Sequence, residues 1–486
     1  MPALHDIIRE GRLIAGHRPW PRAMVSARQW QLAAAEAADG RLTLSGLWGD
    51  AGVVHMALLD EESGAAAVLS LECPEGRFPS VGRLHPPAIR LERALRDIHG
   101  LEPVDCPDPR PWIDHGAGAP YPFLTAEGDS LHQIAVGPVH AGIIEPGHFR
   151  FTANGETVVR LEERLGYVHR GIEKLMRGAM LEQGAKLAER VSGDSTVAYA
   201  LAFARAVEAA LELEPPPRAL YIRGLMAELE RLANHLGDIG AICNDASFAM
   251  MHAHCGILRE RVLRAADGCF GHRLMRDCIR PGGVVKDIDG AGLALLEALV
   301  KDIRSYFPAL VKLYDNTASL QDRTVTTGIL KPALARQYGA GGYVGRASGR
   351  AFDVRRNIAY PPYDELEFDV PSLSDGDVNA RVWIRIREVE QSLSLIEQMM
   401  ARLPAGPVIT TLPRCAGEGM SLVEGFRGDV LIWLRLGDDG RIARCHLRDP
   451  SWFQWPLLEA VIEGNIVADF PLCNKSFNCS YAGHDL

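Results

Sequence analysis

Between residues 225 and 239 the apolar positions Leu225, Leu229, Leu232, Leu236 and Ile239 fall 4, 3, 4 and 3 residues apart. That spacing keeps returning to one side of a helical turn, so it commits the segment to a helix with one face in a core. Pro215, Pro216 and Pro217 stop the helical run before it and launch this one, because proline suits a first turn and breaks an interior. Further helices are expected over residues 250–278, 290–321 and 378–402, with an irregular Gly/Tyr/Pro-rich stretch over 339–371. A helix is also expected over Pro87–His99, and strands over 53–59, 66–71 and 157–161. Residues 429–434 and 442–447 read as two strands of a hairpin turning at Gly437-Asp438-Asp439-Gly440.

Prolines at 107, 109, 111, 120 and 122 prevent any regular element there, which makes the segment a linker. The expected organisation is a small mixed domain over 1–105, a Pro/Gly-rich linker over 106–132 and a large domain over 133–486. The fold class is α+β, with the large domain mainly helical and carrying small antiparallel sheets. A chain of 486 residues can bury cores of that size.

A net charge of -10 with no basic stripe argues against a nucleic-acid partner, since phosphates would repel it. No run of about 18 apolar residues occurs, so no spanning helix is expected. The first residues carry scattered charges rather than an apolar core, which argues against a secretory signal. Cys243, Cys255, Cys269 and Cys278 sit in apolar helical surroundings and read as buried, reduced thiols. No phosphate-cradling glycine loop follows a strand, and no nucleophile elbow or zinc-protease string occurs.

Five strings carry more. GPVHAGIIEPGHFRF (Gly137 to Phe151), GYVHRGIEKL (Gly166 to Leu175), RASGRAFDVRR (Arg346 to Arg356), YDELEFDVP (Tyr363 to Pro371) and GNIVADFPL (Gly464 to Leu472) stand in that order. They resemble the large subunit shared by group 4 nickel-iron hydrogenases and the 49-kDa subunit of complex I. RFPSVGRLHPPAIRLERALRDIHGLEP (Arg77 to Pro103) resembles the complex I 30-kDa subunit, which is fused ahead of many group 4 large subunits. EPGHF is similar to the hydrogenase branch and YDELEFDVP to the complex I branch.

In that family a nickel-iron centre hangs on four thiolates from two C-x-x-C pairs, soft ligands suited to such a metal. The first pair follows an Arg-Val dipeptide, here Arg190-Val191, but the chain continues Ser192-Gly193-Asp194-Ser195. The second pair follows a D-x-P string, here Asp469-Phe470-Pro471, and its positions fall on Ser480 and Gly483. The resemblance therefore implies a large subunit without the nickel-iron centre. Cys473, Cys479 and His484 remain as incidental packed groups or a site for another metal. Complex I members meet a quinone headgroup with a His and a Tyr; those positions fall on Ile144 and Gly193 here.

The resemblance places a polar set around the same cavity. Glu173, with His169 and Arg170, stands in an R-G-x-E string whose Glu moves protons in the hydrogenase branch; it would relay protons or pair with a surface lysine. Asp194 between Ser192 and Ser195 would form a hard-oxygen nest or cap the following helix. Asp353, Arg355 and Arg356 would lie near the cavity or form a solvated loop ion pair. His140, Glu145 and His148 are expected along the rim.

The implied function is that of a nickel-free large subunit in a membrane-associated energy-converting complex, peripheral on the cytoplasmic face of the inner membrane. No cofactor is expected on this chain itself. An iron-sulfur small subunit would bring a 4Fe-4S cluster, with a ferredoxin-like subunit and membrane antiporter-like subunits as further partners. A quinone is one acceptor to consider. The alternatives are a complex I NADH-quinone oxidoreductase subunit, a non-catalytic scaffold and a true hydrogenase.

Overall fold

The computed structural model of the chain describes residues 3–113 and 120–486, so residues 114–119 of the expected linker lie outside the described residues. The chain opens with α1 (Ala3–Glu10), β1 (Arg12–Leu13), β2 (His17–Arg18), β3 (Arg22–Met24) and α2 (Ala27–Ala38). Ser26 and Gln29 close a reciprocal cap on α2, satisfying N–H groups that its first turn leaves open. An antiparallel meander of β4 (Thr43–Asp50), β5 (Val53–Asp60) and β6 (Ala65–Glu72) follows. It completes a sheet in the order β1-β3-β6-β5-β4.

β7 (Arg77–Pro79) and β8 (Glu102–Val104) pair in parallel around α3 (Ile89–His99). The proline-rich segment is strapped onto α3: Asp97 accepts the backbone N–H groups of Trp112 and Ile113 at 2.5 and 2.9 Å. β9 (Leu131–Val136), β10 (His148–Asn154) and β11 (Thr157–Arg164) form a small antiparallel sheet, followed by short α4 (Ile172–Met176) and α5 (Leu181–Ala188).

The helical core comprises α6 (Thr196–Ala210), α7 (Pro217–Asp245), α8 (Ala249–Phe270), α9 (Gly290–Asn316) and α13 (Val378–Arg402). Smaller elements join these: the β12 (Ile279–Arg280)/β13 (Gly283–Val284) ribbon, α10 (Ala318–Thr324), α11 (Pro332–Gln337) and α12 (Gly342–Arg346). α7 packs against both α8 and α13, and Leu225, Leu229, Leu232, Leu236 and Ile239 are all fully buried.

Two expected helices end early. The third stops at Phe270, not residue 278, because Gly271 turns left-handed (φ 81°) and caps it through Asp267. The fourth breaks at Thr317, where extended backbone separates α9 from α10. The chain closes with β14 (Gly417–Gly425), β15 (Gly428–Leu436) and β16 (Ile442–Arg448), then α14 (Ser451–Ile462), α15 (Phe470–Phe477) and α16 (Tyr481–Asp485).

β2 joins that last sheet, in the order β16-β15-β14-β2, so the N-terminal residues complete a C-terminal sheet. Trp48 of β4 stacks on His446 of β16 at 4.8 Å and lies 5.6 Å from Trp433 of β15. Buried aromatic area of this kind contributes several kcal/mol. Replacing Trp48 with Ala should therefore cost about 3–5 kcal/mol. In calorimetry the whole chain should melt earlier as one transition; a separate early melt of the N-terminal part would contradict this packing.

Candidate active site

Two segments distant in sequence meet beside the helical core: residues 190–195, entering α6, and residues 478–483, which leave α15 and enter α16. Each is fixed by backbone chemistry. α6 needs partners for its first N–H groups, and Glu230 of α7 supplies them, accepting from Val197 at 2.6 Å and Ala198 at 3.0 Å. Burial pushes the Glu230 carboxyl up to about 8. The cap expected from Asp194 or Ser195 is thus made from the neighbouring helix; the Ser195 side chain makes no cap bond. Ser480 does cap α16, its Oγ accepting the Gly483 N–H at 2.9 Å.

The two segments bond directly. Ser192 Oγ lies 2.9 Å from Ser480 Oγ and donates to Asp194 at 2.7 Å. Arg427, in the turn between β14 and β15, drives its guanidinium into the junction. It donates to Asp194 Oδ1 at 2.8 Å and Ser195 Oγ at 3.2 Å, and forms an ion pair with Asp194. Its Nε–H donates to the carbonyl of Asn478. Arg427 is 4% exposed, whereas the Asp194 side chain is 36% exposed toward the cavity. Burial works to raise the Asp194 pKa, but the Arg427 guanidinium outweighs it and holds the carboxylate below its ordinary range.

Gly483 has no room for a side chain: an added Cβ would meet Asp449 Oδ2 at 2.3 Å. Asp449 is held there by the Tyr199 hydroxyl at 2.7 Å.

In front of this junction lies a cavity of about 680 Å³. His140 and Glu145 enter it from the loop before β10, Asp194 and Arg427 form its floor, and Lys475 and Tyr481 come from the C-terminal helices. Glu145 accepts the Ala482 N–H at 2.9 Å, and burial raises its pKa. Tyr481 Oη sits 3.4 Å from His140 Nε2. The Tyr481 ring fills the space where Gly147 would carry a Cβ, 2.5 Å from Cε1.

The other expected site residues lie elsewhere. Arg170 stands behind the junction, donating to the carbonyls of Val191 at 2.7 Å and Ala482 at 3.3 Å, so it staples the two segments from outside. His169 bonds the Asp485 carbonyl at 2.8 Å. Glu173 faces away from the cavity. It accepts from His446 and Arg444, both at 2.7 Å, and borders a separate apolar pocket with Trp48, Leu91 and Trp452. Burial acts to raise its pKa, but Arg444 and His446 outweigh that and keep it well below the carboxylate range. Its charge partners are thus a buried arginine and histidine, where a surface lysine was the alternative expected.

His148 turns to the Gly137 carbonyl and the Phe123 ring. Asp353 and Arg355 are buried and paired with each other, not solvated, while Arg356 is exposed. Cys473, Cys479 and His484 do not converge. Cys473 abuts Gly328, Cys479 faces Gln454, and His484 stacks on Trp452 while bonding Asp485.

Sequence reasoning missed Arg427 and Tyr481. An arginine inside the tight Gly425-Phe426-Arg427-Gly428 turn was the available signal for the first. Tyr481 carried none of its own, because its partner His140 is 341 positions away.

Replacing Asp194 with Asn leaves the buried Arg427 short of its counter-charge. The cost should be about 3 kcal/mol, the low end for a broken buried pair because Asp194 is partly open. Since the folded Asp194 pKa is depressed, the pair's contribution exists above the unfolded value of about 3.9 and fades as pH falls through the folded value. Denaturant unfolding should show the deficit near neutrality and lose it in strong acid.

Known proteins share this framework. The family described as respiratory-chain NADH dehydrogenase, 49 Kd subunit, matches residues 245–416 and 410–485, and the nickel-dependent hydrogenase family matches residues 170–237. Formate hydrogenlyase subunit 5 of Escherichia coli (strain K12) is 31% identical over 447 residues, covering 86% of this chain and 78% of that protein. An NADH-quinone oxidoreductase subunit of Desulfotalea psychrophila is 34% identical over 349 residues, covering 70% of this chain and 93% of that protein. Among solved structures, a chain of the membrane-bound sulfane sulfur reductase, an archaeal respiratory membrane complex, superposes with a TM-score of 0.70 at 26% identity. That match covers 74% of this chain and 99% of the other. The chain belongs to the family of large subunits that unites membrane-associated nickel-iron hydrogenases with the 49-kDa subunit of complex I.

Proposed function

We propose that this chain is a nickel-free large subunit of a membrane-associated oxidoreductase complex, receiving electrons from an iron-sulfur partner and passing them to a quinone or similar acceptor. One observation carries the reading. The four positions that would present thiolates are Ser192, Ser195, Ser480 and Gly483; Ser192 bonds Ser480 directly, and the Arg427–Asp194 pair engages Ser192 and Ser195. Hydroxyls are hard, protonated donors, and a guanidinium repels a metal cation. A nickel-iron centre does not fit this donor set.

The cavity suits an acceptor that exchanges hydrogen bonds. His140 and Tyr481 stand 3.4 Å apart and can between them donate to and accept from one carbonyl or hydroxyl oxygen. They arise at positions other than the family's His and Tyr, now Ile144 and Gly193, yet line the same cavity. Glu145, with its raised pKa, is placed to hand over a proton as the acceptor gains electrons. This pair favours an acceptor-reducing subunit over a scaffold.

A 4Fe-4S cluster in an adjacent small subunit would supply the electrons, with ferredoxin-like and antiporter-like subunits completing the assembly. Val139 and Ile143, 80% and 100% exposed on the loop that carries His140, offer the apolar surface such a small subunit would cover. No helix of the described residues is long and apolar enough to cross a membrane, so attachment would run through partners, on the cytoplasmic face in this reading.

In the purified complex, the reduced iron-sulfur signal should be reoxidised on adding a water-soluble quinone analogue. Tyr481→Phe should slow that step about tenfold, the worth of one hydrogen bond of about 1.4 kcal/mol in the transition state. Paramagnetic resonance of the cluster is the readout. Reoxidation by no quinone analogue would reject the quinone, and an unchanged rate in Tyr481→Phe would remove that residue's role.

A further inference from the structure

Behind the cavity floor, α7, α12, the segment that follows α12, α13 and the end of β14 bring one cluster of charges together with almost no exposure. Its carboxylates are Glu228, Asp353, Glu388 and Glu424, and its guanidiniums are Arg231, Arg346 and Arg355. Arg346 bridges Glu388 at 2.7 Å and Glu424 at 2.8 Å and lies 3.5 Å from Asp353. Arg355 pairs with Asp353 at 2.7 Å and Glu228 at 2.9 Å, while Arg231 stands 3.4 Å from Glu228. The neighbouring charged groups face partners outside the cluster: Asp238 pairs with Arg385 and Asp429 with Arg448, while Arg205 of α6 lies over the Tyr360 ring at 4.5 Å and faces Glu208 and Asp364.

Four carboxylates thus face three guanidiniums, and the remaining candidate for a positive charge is His235. Its Nε2 lies 2.7 Å from Glu388, but its buried Nδ1 has no partner. A protonated ring would bury an N–H with no acceptor, which is costly, so His235 is neutral. One carboxylate must then carry a proton, because an uncompensated buried charge is the most expensive alternative.

The donors decide which. Glu228 takes hydrogen bonds from Arg355, Tyr363 and Ser392, and Asp353 takes three from Arg355 alone. Glu388 has Arg346 and His235. Glu424 has only one charged donor, Arg346, plus the Val354 N–H at 3.1 Å. Arg231 turns its Nη groups to the carbonyls of Glu424 and Gly425, and the Tyr360 hydroxyl accepts the Glu424 N–H.

We propose that Glu424 is the proton-holding residue of this cluster and exchanges its proton as charge changes in the cavity. It lies at the end of β14, three positions before Arg427 in the turn that follows, so an electron arriving on an acceptor beside Arg427 raises its proton affinity through a low-dielectric interior. Storage follows from the cluster alone; use in turnover rests on the electron-accepting reading above. Burial first, then the Asp353 charge, pushes the Glu424 carboxyl up to about 7 against the pull of Arg346. With the folded pKa raised, stability declines as pH climbs from the unfolded carboxyl range to neutrality and levels off above it.

Infrared difference spectra of the full chain, taken from mildly acidic to mildly alkaline buffer, test the storage. A protonated-carboxyl band should disappear with a midpoint near neutrality, and that component should be missing in Glu424→Gln. Glu230 is also buried and raised, so its own component should be lost instead in Glu230→Gln. Glu424→Gln spectra superimposable on the wild type would overturn the assignment. If that variant does not fold, Glu424→Asp keeps the carboxyl but draws it back from Arg346 and must move the midpoint; an unmoved midpoint overturns it equally. If storage holds but the complex reduces no acceptor, the reading of the cavity fails while the proton site stands.

Discussion

The ion pair between Arg427 and Asp194 ties together the two segments on which the site depends. The first is a loop and the second a turn running into the single short turn of α16, and neither would hold its place alone. The loop before α6 is anchored by Glu230 from behind, and the turn before α16 by the Ser480 cap. Arg427 reaches both, through the Asp194 carboxylate on one side and the Asn478 carbonyl on the other. Arg170 repeats the connection from the outer side through backbone carbonyls. A charge-assisted bridge that is nearly buried is strong because its alternative is a guanidinium left without a partner.

Filling the junction in this way has chemical consequences. Thiolates bring negative charge to a metal; here one carboxylate brings negative charge to one guanidinium, Ser192 and Ser195 bond the pair, and Ser192 links it through Ser480 to the backbone N–H of Gly483. Gly483 is fixed by the packing, since Asp449 occupies the volume a side chain would need. What remains in front is a polar, partly open cavity with a His–Tyr pair, a raised carboxyl and a lysine. The charge cluster behind it extends the same logic inward: buried carboxylates outnumber their guanidinium partners, and a proton makes up the difference.

Much of the frame was legible in the sequence because it rests on local rules. The Leu225–Ile239 stripe gave α7, Val378–Arg402 gave α13, and the turn at Gly437–Gly440 gave the β15–β16 hairpin. Counting from Arg190 and from Pro471 pointed to Ser192 and Ser480, which the fold brings within 2.9 Å of each other. Local periodicity failed where a glycine or an extended residue ended a helix, at Gly271 and Thr317. It also concealed that β2 completes a C-terminal sheet, a pairing between Arg18 and Gly419 that no window along the chain contains. The site itself was half legible. His140, Glu145, Ser192 and Asp194 line the cavity, whereas Glu173 is drawn away by Arg444 and His446, residues on a strand far along the chain. Asp353 and Arg355 looked like loop charges because their partners Glu228 and Arg346 are visible only once the helices are packed.

With Arg427 and Asp194 bridging them, the segments that carry Ser192, Ser195, Ser480 and Gly483 should, on the proposed reading, leave nickel nothing to bind. Metal quantification on the intact complex, isolated from cells supplied with nickel, tests this most directly. The expected result is iron from the partner subunit and no stoichiometric nickel. One nickel per chain, with sulfur neighbours in its X-ray absorption spectrum, would contradict it.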